Sequence, residues 1–330
     1  MKETFQKLLN TYGATGREEK VADMIEEMIR PYVDEIRRDA MGNLIAVRHG
    51  QGKRILYAAH MDHIGFIVTD IDEKGFLRVH NVGGVRKLNS LNRHVVFENG
   101  VNGVFSSEAD PDNSHLQDLS TAFIDIGAKD RADAEARVRI GDVAVYAPDF
   151  FELGSDMLAG PAMDNRAGCC VLIETLKALK QRTNEIIAVF TVQEEVGCRG
   201  AMAAAYAMNP DLGVALDVTL CGDTPGGPKI AVKAGEGPCV KIMDSSLVCS
   251  PKVVRLMEDA AQRVGVKAQR EVLTAGGTDA SRIQLTRGGV HAGVLSIACR
   301  YVHSACEAVS LSDMEGGVKL LTALSEGNVD

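Results

Sequence analysis

The chain of 330 residues predicts an α/β fold in which a mixed sheet flanked by helices carries an inserted small β-rich domain. Three observations lead there. Apolar strand-like runs alternate with helical stretches near both ends of the chain, which implies a sheet covered on both faces. From about Phe66 to Phe150 that alternation stops, leaving short strands, turns and one helical stretch at 131–137. After Leu158 it resumes. The predicted α/β part is therefore residues 1–66 joined to 156–330, with 67–155 as the insert, a division that a chain of this length accommodates.

The elements follow in order. Residues 18–31 read as an amphipathic helix with Val21, Met24, Ile25, Met28 and Ile29 on one face. Two strand-like runs, 35–38 and 43–48, are joined by a tight Gly-containing turn, and an apolar strand at 53–59 stops at His60-Met61-Asp62. Asn99-Gly100 between two Val/Phe runs signals a hairpin in the insert. Residues 166–180 form an apolar helix and 185–192 a buried strand, followed by helix 200–208 and strand 213–218. Ser250-Pro251 opens a helix running to residue 264, with a capping residue and Pro in the first turn. Run 266–272, a short helix at 278–286 and a strand at 290–298 come next, and Ser312-Asp313-Met314-Glu315 is a capping-box pattern before the last helix.

Composition narrows the function. Hydrophobic residues make up 45% and charged residues 25%, an ordinary globular balance. With a formal net charge of −9 and scattered Lys and Arg, nucleic acid and anionic membrane surfaces are excluded as expected partners. No run approaches the ~20 apolar residues needed to span a bilayer. Lys2, Glu3 and Lys7 interrupt the start, so no signal-peptide core is seen and a cytoplasmic location is expected. Cys169 and Cys170 are adjacent, the other six cysteines lie far apart and there is no CxxC pair, which reads as reduced core cysteines.

In open α/β sheets functional groups gather beyond the carboxyl ends of strands. Here those ends carry His60 and Asp62, Glu194 and Glu195, Asp217, and, past the last strand, His303; Asp164 stands just before the long helix. Two His and three carboxylates are a chemically sensible set for divalent ions, and one carboxylate can bridge two ions ~3.5–4 Å apart. Three buried carboxylates otherwise repel one another. Adjacent residues on a regular strand point to opposite faces, so Glu194 and Glu195 both serve one site only where the strand ends, as Gly197 suggests; one then binds metal while the other is free as general base. Taken singly, His60 reads as a satisfied histidine, Asp164 or Asp217 as a turn residue and Glu194-Glu195 as a solvated pair. Spacing alone does not decide between these readings. His49, His80, His94 and His115 read as structural or exposed.

The motif strings are more specific. His60-Met61-Asp62-His63-Ile64-Gly65-Phe66, Pro161-Ala162-Met163-Asp164-Asn165-Arg166, Thr191-Val192-Gln193-Glu194-Glu195-Val196-Gly197 and Ala215-Leu216-Asp217-Val218-Thr219 occur in order. Gly276-Gly277-Thr278-Asp279-Ala280 and Cys299-Arg300-Tyr301-Val302-His303-Ser304 follow. Together, from about Leu8 to Leu321, they resemble the glutamyl/deblocking aminopeptidase family, whose members assemble into tetrahedral particles and some of which carry an older cellulase or endoglucanase label. The resemblance implies a zinc-aminopeptidase-like catalytic domain with an inserted β domain that helps subunits associate. It implies two ions per subunit, Zn2+ or Co2+, bridged by Asp164. His60 and Asp217 would complete one site, Glu195 and His303 the other. Glu194 would be the general base, and Asp62 would hydrogen-bond the His60 imidazole. Expected partners are peptide substrates and further copies of the chain, in a tetrahedral dodecamer.

Two positions depart from the family pattern. His63 stands where Glu is common and is expected to change pocket charge, and His291-Ala292 stands where Pro-Thr is expected. The expected activity is removal of N-terminal residues from peptides by metal-activated water. A related metal-dependent deacylase or dipeptidase is the alternative on the same core. A glycoside hydrolase would need two carboxylates ~5–9.5 Å apart around a sugar and no metal, and the 5% aromatic content with no Trp argues against sugar stacking. A non-catalytic assembly protein on the same scaffold would have lost Glu194 or a ligand, and none is missing.

Overall fold

The segment RILYAAH (Arg54–His60) is apolar on both faces, the composition of a strand with helices above and below it. The computed structural model describes residues 1–109 and 119–330, so His115 lies outside the described residues. Arg54–His60 runs through the middle of the large sheet, parallel to Glu185–Thr191 on one side and Leu212–Leu220 on the other. His291–Arg300 lies parallel beyond Leu212–Leu220. Antiparallel strands continue outward: Leu44–Arg48 and Glu35–Arg38 at one edge, Glu307–Ser310, Met157–Gly160 and Phe151–Leu153 at the other. Cys239–Met243 pairs with His291–Arg300 and with Gln269–Val272, bringing the described strands of this mixed sheet to 11.

Helices cover both faces, and two glycines show how closely. A methyl at Gly293 would meet Val253 of helix Pro251–Arg263 at 2.7 Å, and one at Gly213 would meet Ile283 of helix Ala280–Gln284 at 2.3 Å. Gly213 pairs with Ala292, the neighbour of Gly293, so the two glycines open onto opposite faces. Met163–Ala178 and Leu311–Glu326 pack together under the parallel strands, and their Leu172, Ile173, Leu176, Leu320, Leu321 and Leu324 join the main core.

Leaving the sheet after His60, the chain builds a second body before it returns at Phe151. Six described strands close into a barrel in the order Gly65–Ile71, Leu77–Val82, Ala122–Asp125, Asn102–Ser107, Arg93–Phe97, Val143–Tyr146. The Asn99-Gly100 hairpin forms, with Gly100 at φ 87° and Phe97 N–H donating to Val101 C=O at 2.9 Å. Phe66 anchors the interior, 4.3 Å from the Phe105 ring centroid and edge-on to Tyr146 at 5.7 Å.

Several local expectations change. The last helix is capped by Ser310, whose Oγ accepts from the Asp313 N–H at 3.2 Å; Ser312 instead binds the Asp156 carboxylate. Ser250 occupies the cap position of its helix but its hydroxyl pairs with His291 Nδ1 at 2.9 Å, not with the helix backbone. The helix at 131–137 is shorter, Arg131–Glu135, and the insert adds a four-residue helix, Lys87–Ser90. All eight cysteines are free, and all but Cys306 are buried. Among the described residues no helix is long and apolar enough to cross a membrane.

Candidate functional site

Arg54–His60 and Glu185–Thr191 end at one level while Leu212–Leu220 runs on beside them, and the first cluster forms at that step. His60 is the last residue of Arg54–His60, Asp217 lies on Leu212–Leu220, and Asp164 opens the helix Met163–Ala178. His60 Nε2 is 3.1 Å from Asp164 Oδ1 and 3.5 Å from Asp217 Oδ1. A second cluster shares Asp164: His303 Nε2 is 3.4 Å from Asp164 Oδ2 and 3.3 Å from Glu195 Oε2. The five ligand candidates therefore meet in two adjoining groups with Asp164 common to both. They open into a cleft of about 580 Å³, walled in part by Val218, Leu220, Leu273 and Val302.

Each imidazole is fixed from behind. His60 Nδ1 faces the main-chain carbonyl of Asp62 at 2.9 Å, and His303 Nδ1 faces that of Gly84 at 3.1 Å. A carbonyl accepts only, so each Nδ1 carries a proton and each Nε2 is the nitrogen turned toward the carboxylates. Gly84, on the loop after barrel strand Leu77–Val82, has to be glycine for this approach: a Cβ there would lie 2.5 Å from His303 Nδ1. His303 itself sits at φ 61°, one of several non-Gly residues near the site in the left-handed region, with Ala162, Gln193, Cys198 and Tyr301.

Two buried carboxylates hold the scaffold. Glu307 accepts from the backbone N–H of both Asp164 (3.0 Å) and His303 (2.6 Å), tying the shared carboxylate to the second imidazole. Asp62, 0% exposed, accepts from the N–H groups of Glu194 (3.0 Å) and Glu195 (3.2 Å) and from the Thr15 hydroxyl at 2.9 Å. Its carboxylate oxygen is 3.5 Å from His60 Nδ1, farther than its own carbonyl, so the expected imidazole support comes first through the backbone. Where the strand ends at Thr191 the turn breaks the alternation of faces, and Glu195 reaches His303 while Glu194 Oε2 lies 3.9 Å from His60 Nε2.

Charge in this space is poorly balanced by the protein alone. Burial and neighbouring acids raise the carboxyl pKa of Glu194 well above the usual range, and burial raises those of Glu195 and Asp217. Burial, with the Asp164 charge second, pushes Glu307 up to about 8, and burial takes Asp279 to about 7. Burial opposes a charged His303 ring, yet the Asp164 and Glu195 carboxylates outweigh it and lift the imidazole to about 12. Asp164 Oδ1 and Glu195 Oε1 are buried with no hydrogen-bond partner. Carboxylates crowded this closely repel one another unless positive charge stands between them. Two His nitrogens and three carboxylates are a donor set that zinc and similar ions accept, so the residues present fit divalent metal.

The other flagged residues lie elsewhere. His63 is buried away from the cleft, beside a separate cavity lined by Leu9, Tyr12, Pro161 and Ala162, so the expected change of pocket charge is not what its position provides. Burial and the Arg166 charge depress its imidazole to about 3. His291 is exposed at the start of its strand. His49 and His94 are exposed and paired with nearby side chains, and His80 with the Asn81 carbonyl. Sequence reasoning missed Glu307, Asp279 and Glu18, whose carboxylate accepts from the N–H groups of Gly16 and Gln193. A charged residue opening the buried strand Glu307–Ser310 was the available signal for the first; Gly276–Ala280 was noticed as a motif but given no role.

Comparison with known proteins identifies the family and its fold. A family described as M42 glutamyl aminopeptidase matches residues 42–320. A putative aminopeptidase of Acetivibrio thermocellus is 48% identical over 322 residues, covering 97% of each chain. The solved aminopeptidase APDkam598 of Desulfurococcus kamchatkensis superposes with a TM-score of 0.94 at 35% identity, over 98% of this chain and 94% of that one. The TET1 peptidase of Pyrococcus horikoshii, described as assembling into a tetrahedron or a large octahedral shell, gives 0.89 at 34% identity over 98% of both chains.

Proposed function

Because this chain belongs to the M42 glutamyl aminopeptidase family, we propose that its cleft holds two divalent ions and removes N-terminal residues from peptides with Glu194 as general base. The observation that carries the reading is the pair of clusters sharing Asp164. His60, Asp217 and Asp164 would hold one ion, and Glu195, His303 and Asp164 the other, zinc or cobalt in each case. When bound, such ions polarise the scissile carbonyl, make water a stronger acid and offset the crowded carboxylates.

The chain's own residues account for the rest. Asp62, by accepting both N–H groups, divides the labour of the two adjacent glutamates: Glu195 is turned to His303 and Glu194 is left beside His60. Glu194 takes the proton of the attacking water and returns it to the leaving amine. Glu307 and Gly84 keep Asp164 and His303 in position. The surplus of acids attracts a substrate's free α-ammonium group, and Val218, Leu220, Leu273 and Val302 receive apolar parts of the peptide. We take the large sheet with its helices as the catalytic domain and the barrel, which begins at Gly65 and ends at Tyr146 instead of at the 67 and 155 expected from sequence, as an association domain of a cytoplasmic homo-oligomer, a tetrahedral dodecamer by likeness to the assembling TET1 peptidase.

The test is hydrolysis of aminoacyl chromogenic substrates, free and N-acetylated, by metal-free protein with zinc or cobalt added back. Activity should return on the free substrates alone. Cleavage indifferent to chelator overturns the metal reading, and preference for the acetylated series selects the deacylase instead.

A further inference from the structure

Glu194 has two neighbourhoods. Its Oε2 looks toward His60 at 3.9 Å, whereas its Oε1 accepts the Cys198 thiol at 3.1 Å. Donor atoms of Glu194, Cys198 and Asp279 all lie within 4.8 Å of one another. Cys198 is 8% exposed and lines the cleft; Asp279 is 2% exposed behind it. The Asp279 carboxylate is half satisfied: Oδ2 accepts the Thr191 hydroxyl at 2.6 Å, while Oδ1 is buried without a hydrogen-bond partner. Hydrolysis as described above uses neither Cys198 nor Asp279.

We propose that Glu194, Cys198 and Asp279 form a third, inhibitory cation site selective for thiophilic divalent ions. One sulfur and two carboxylates suit zinc, cadmium or cobalt better than magnesium or calcium, which prefer all-oxygen shells. On binding, the Cys198 thiol releases its proton to solvent and the thiolate sulfur bonds the ion, with carboxylate oxygens of Glu194 and Asp279 completing the protein's share. A Glu194 engaged in this way no longer accepts the proton of attacking water. The half-satisfied Asp279 carboxylate gains a partner. The enzyme would thus be activated by low concentrations of an ion and shut down by higher concentrations of the same ion. The inhibitory part rests on the role of Glu194 proposed above.

Cobalt titration of the metal-free full-length protein, kept reduced, reads the two sites separately. The first two ions should restore activity without a near-ultraviolet sulfur-to-cobalt charge-transfer band, since the ligands inferred for them are nitrogen and oxygen. Further cobalt should bring that band, one more bound ion by equilibrium dialysis, and a loss of activity of about 100-fold or more, the usual contribution of a general base. Cys198→Ser should lose the band and the extra ion yet still reactivate. Asp279→Asn, with the thiol intact, should weaken the extra ion by at least ~10-fold. Absence of the band at any cobalt loading, its persistence in Cys198→Ser, or its appearance with the activating ions overturns the proposal. Failure of the first additions to reactivate is a separate outcome that counts against the two-ion reading itself.

Discussion

The strands Arg54–His60 and Gly65–Ile71 are seven residues each and only four residues apart, yet they serve bodies that bury opposite chemistry. The barrel entered by Gly65–Ile71 closes on itself and is filled by Phe66, Leu77, Val95, Phe105, Ile124 and Tyr146. The sheet containing Arg54–His60 is open, and its rim buries His60, Asp62, Asp164, Asp217, Asp279 and Glu307. Closure pairs the strand edges and packs the interior with side chains, leaving no natural place for a polar ligand. Where Arg54–His60 and Glu185–Thr191 stop, the sheet leaves free backbone N–H groups and space at one rim, where carboxylates are held by the backbone and by one another's partners. Stability in the barrel comes from shape, whereas the rim crowds buried acids whose charge the protein by itself balances poorly.

Substitutions in the two regions should fail differently, beginning with the largest effect. Asp164→Ala removes the carboxylate common to both clusters and should abolish activity and metal retention together, well beyond the ~10–100-fold cost of losing a supporting residue. Metal analysis that still finds full occupancy would break the contrast at its root. Phe105→Ala, in the barrel, should lower stability by about 3–5 kcal/mol while the folded fraction keeps its kcat. A urea titration paired with initial rates separates the two quantities, and a kcat that falls with stability would mean the regions are not independent.

Gly84→Ala probes a loop through which the barrel supports His303. It should cost ~10–100-fold in metal affinity or activity, read by competition against a chelator, with the barrel's stability unaltered. The smallest effect is a matter of pH. His63 is held near pKa 3 in the folded chain against 6.5 for the free group. The unfolded chain therefore takes up the proton first as pH falls. Its contribution to stability is intact above about pH 6.5 and declines toward pH 3, by about 2 kcal/mol at pH 5. His63→Gln should flatten that acid limb in urea midpoints measured from pH 7 to pH 5; an unchanged limb would show that His63 is not buried as a neutral ring.

Much of this contrast was legible before any coordinates. Apolar runs ending in His60 and Glu194-Glu195 marked strand ends because a buried strand tolerates charge mainly where it stops, whereas the strand carrying Asp217 runs on to Leu220 and its end was placed too early. The Asn99-Gly100 hairpin was legible because only a few residues adopt its left-handed turn. The barrel's order was not: its strands are short, and pairing Leu77–Val82 with Ala122–Asp125 across more than forty residues leaves no local trace. Glu307 and Asp279 were hidden for a related reason. Each supports the site through contacts distant in sequence, Glu307 with Asp164 and Asp279 with Thr191, and neither spacing nor period encodes such a meeting. Asp62 was noticed beside His60, but its hold on the N–H groups of Glu194 and Glu195 was not, because a backbone acceptor has no signature in side-chain pattern. Ser310 and Ser312 both fit a cap pattern with Asp313 or Glu315, and only the position of Asp156 decided between them.

The most direct measurement is bound metal and kcat in the same preparation of Glu194→Gln. An uncharged amide of nearly the same shape keeps the packing and removes the proton acceptor. Two ions per chain with kcat down by about 100- to 10,000-fold is the expected result. Loss of an ion along with the rate, or an unimpaired rate, would contradict the division of roles between Glu194 and the five residues around it.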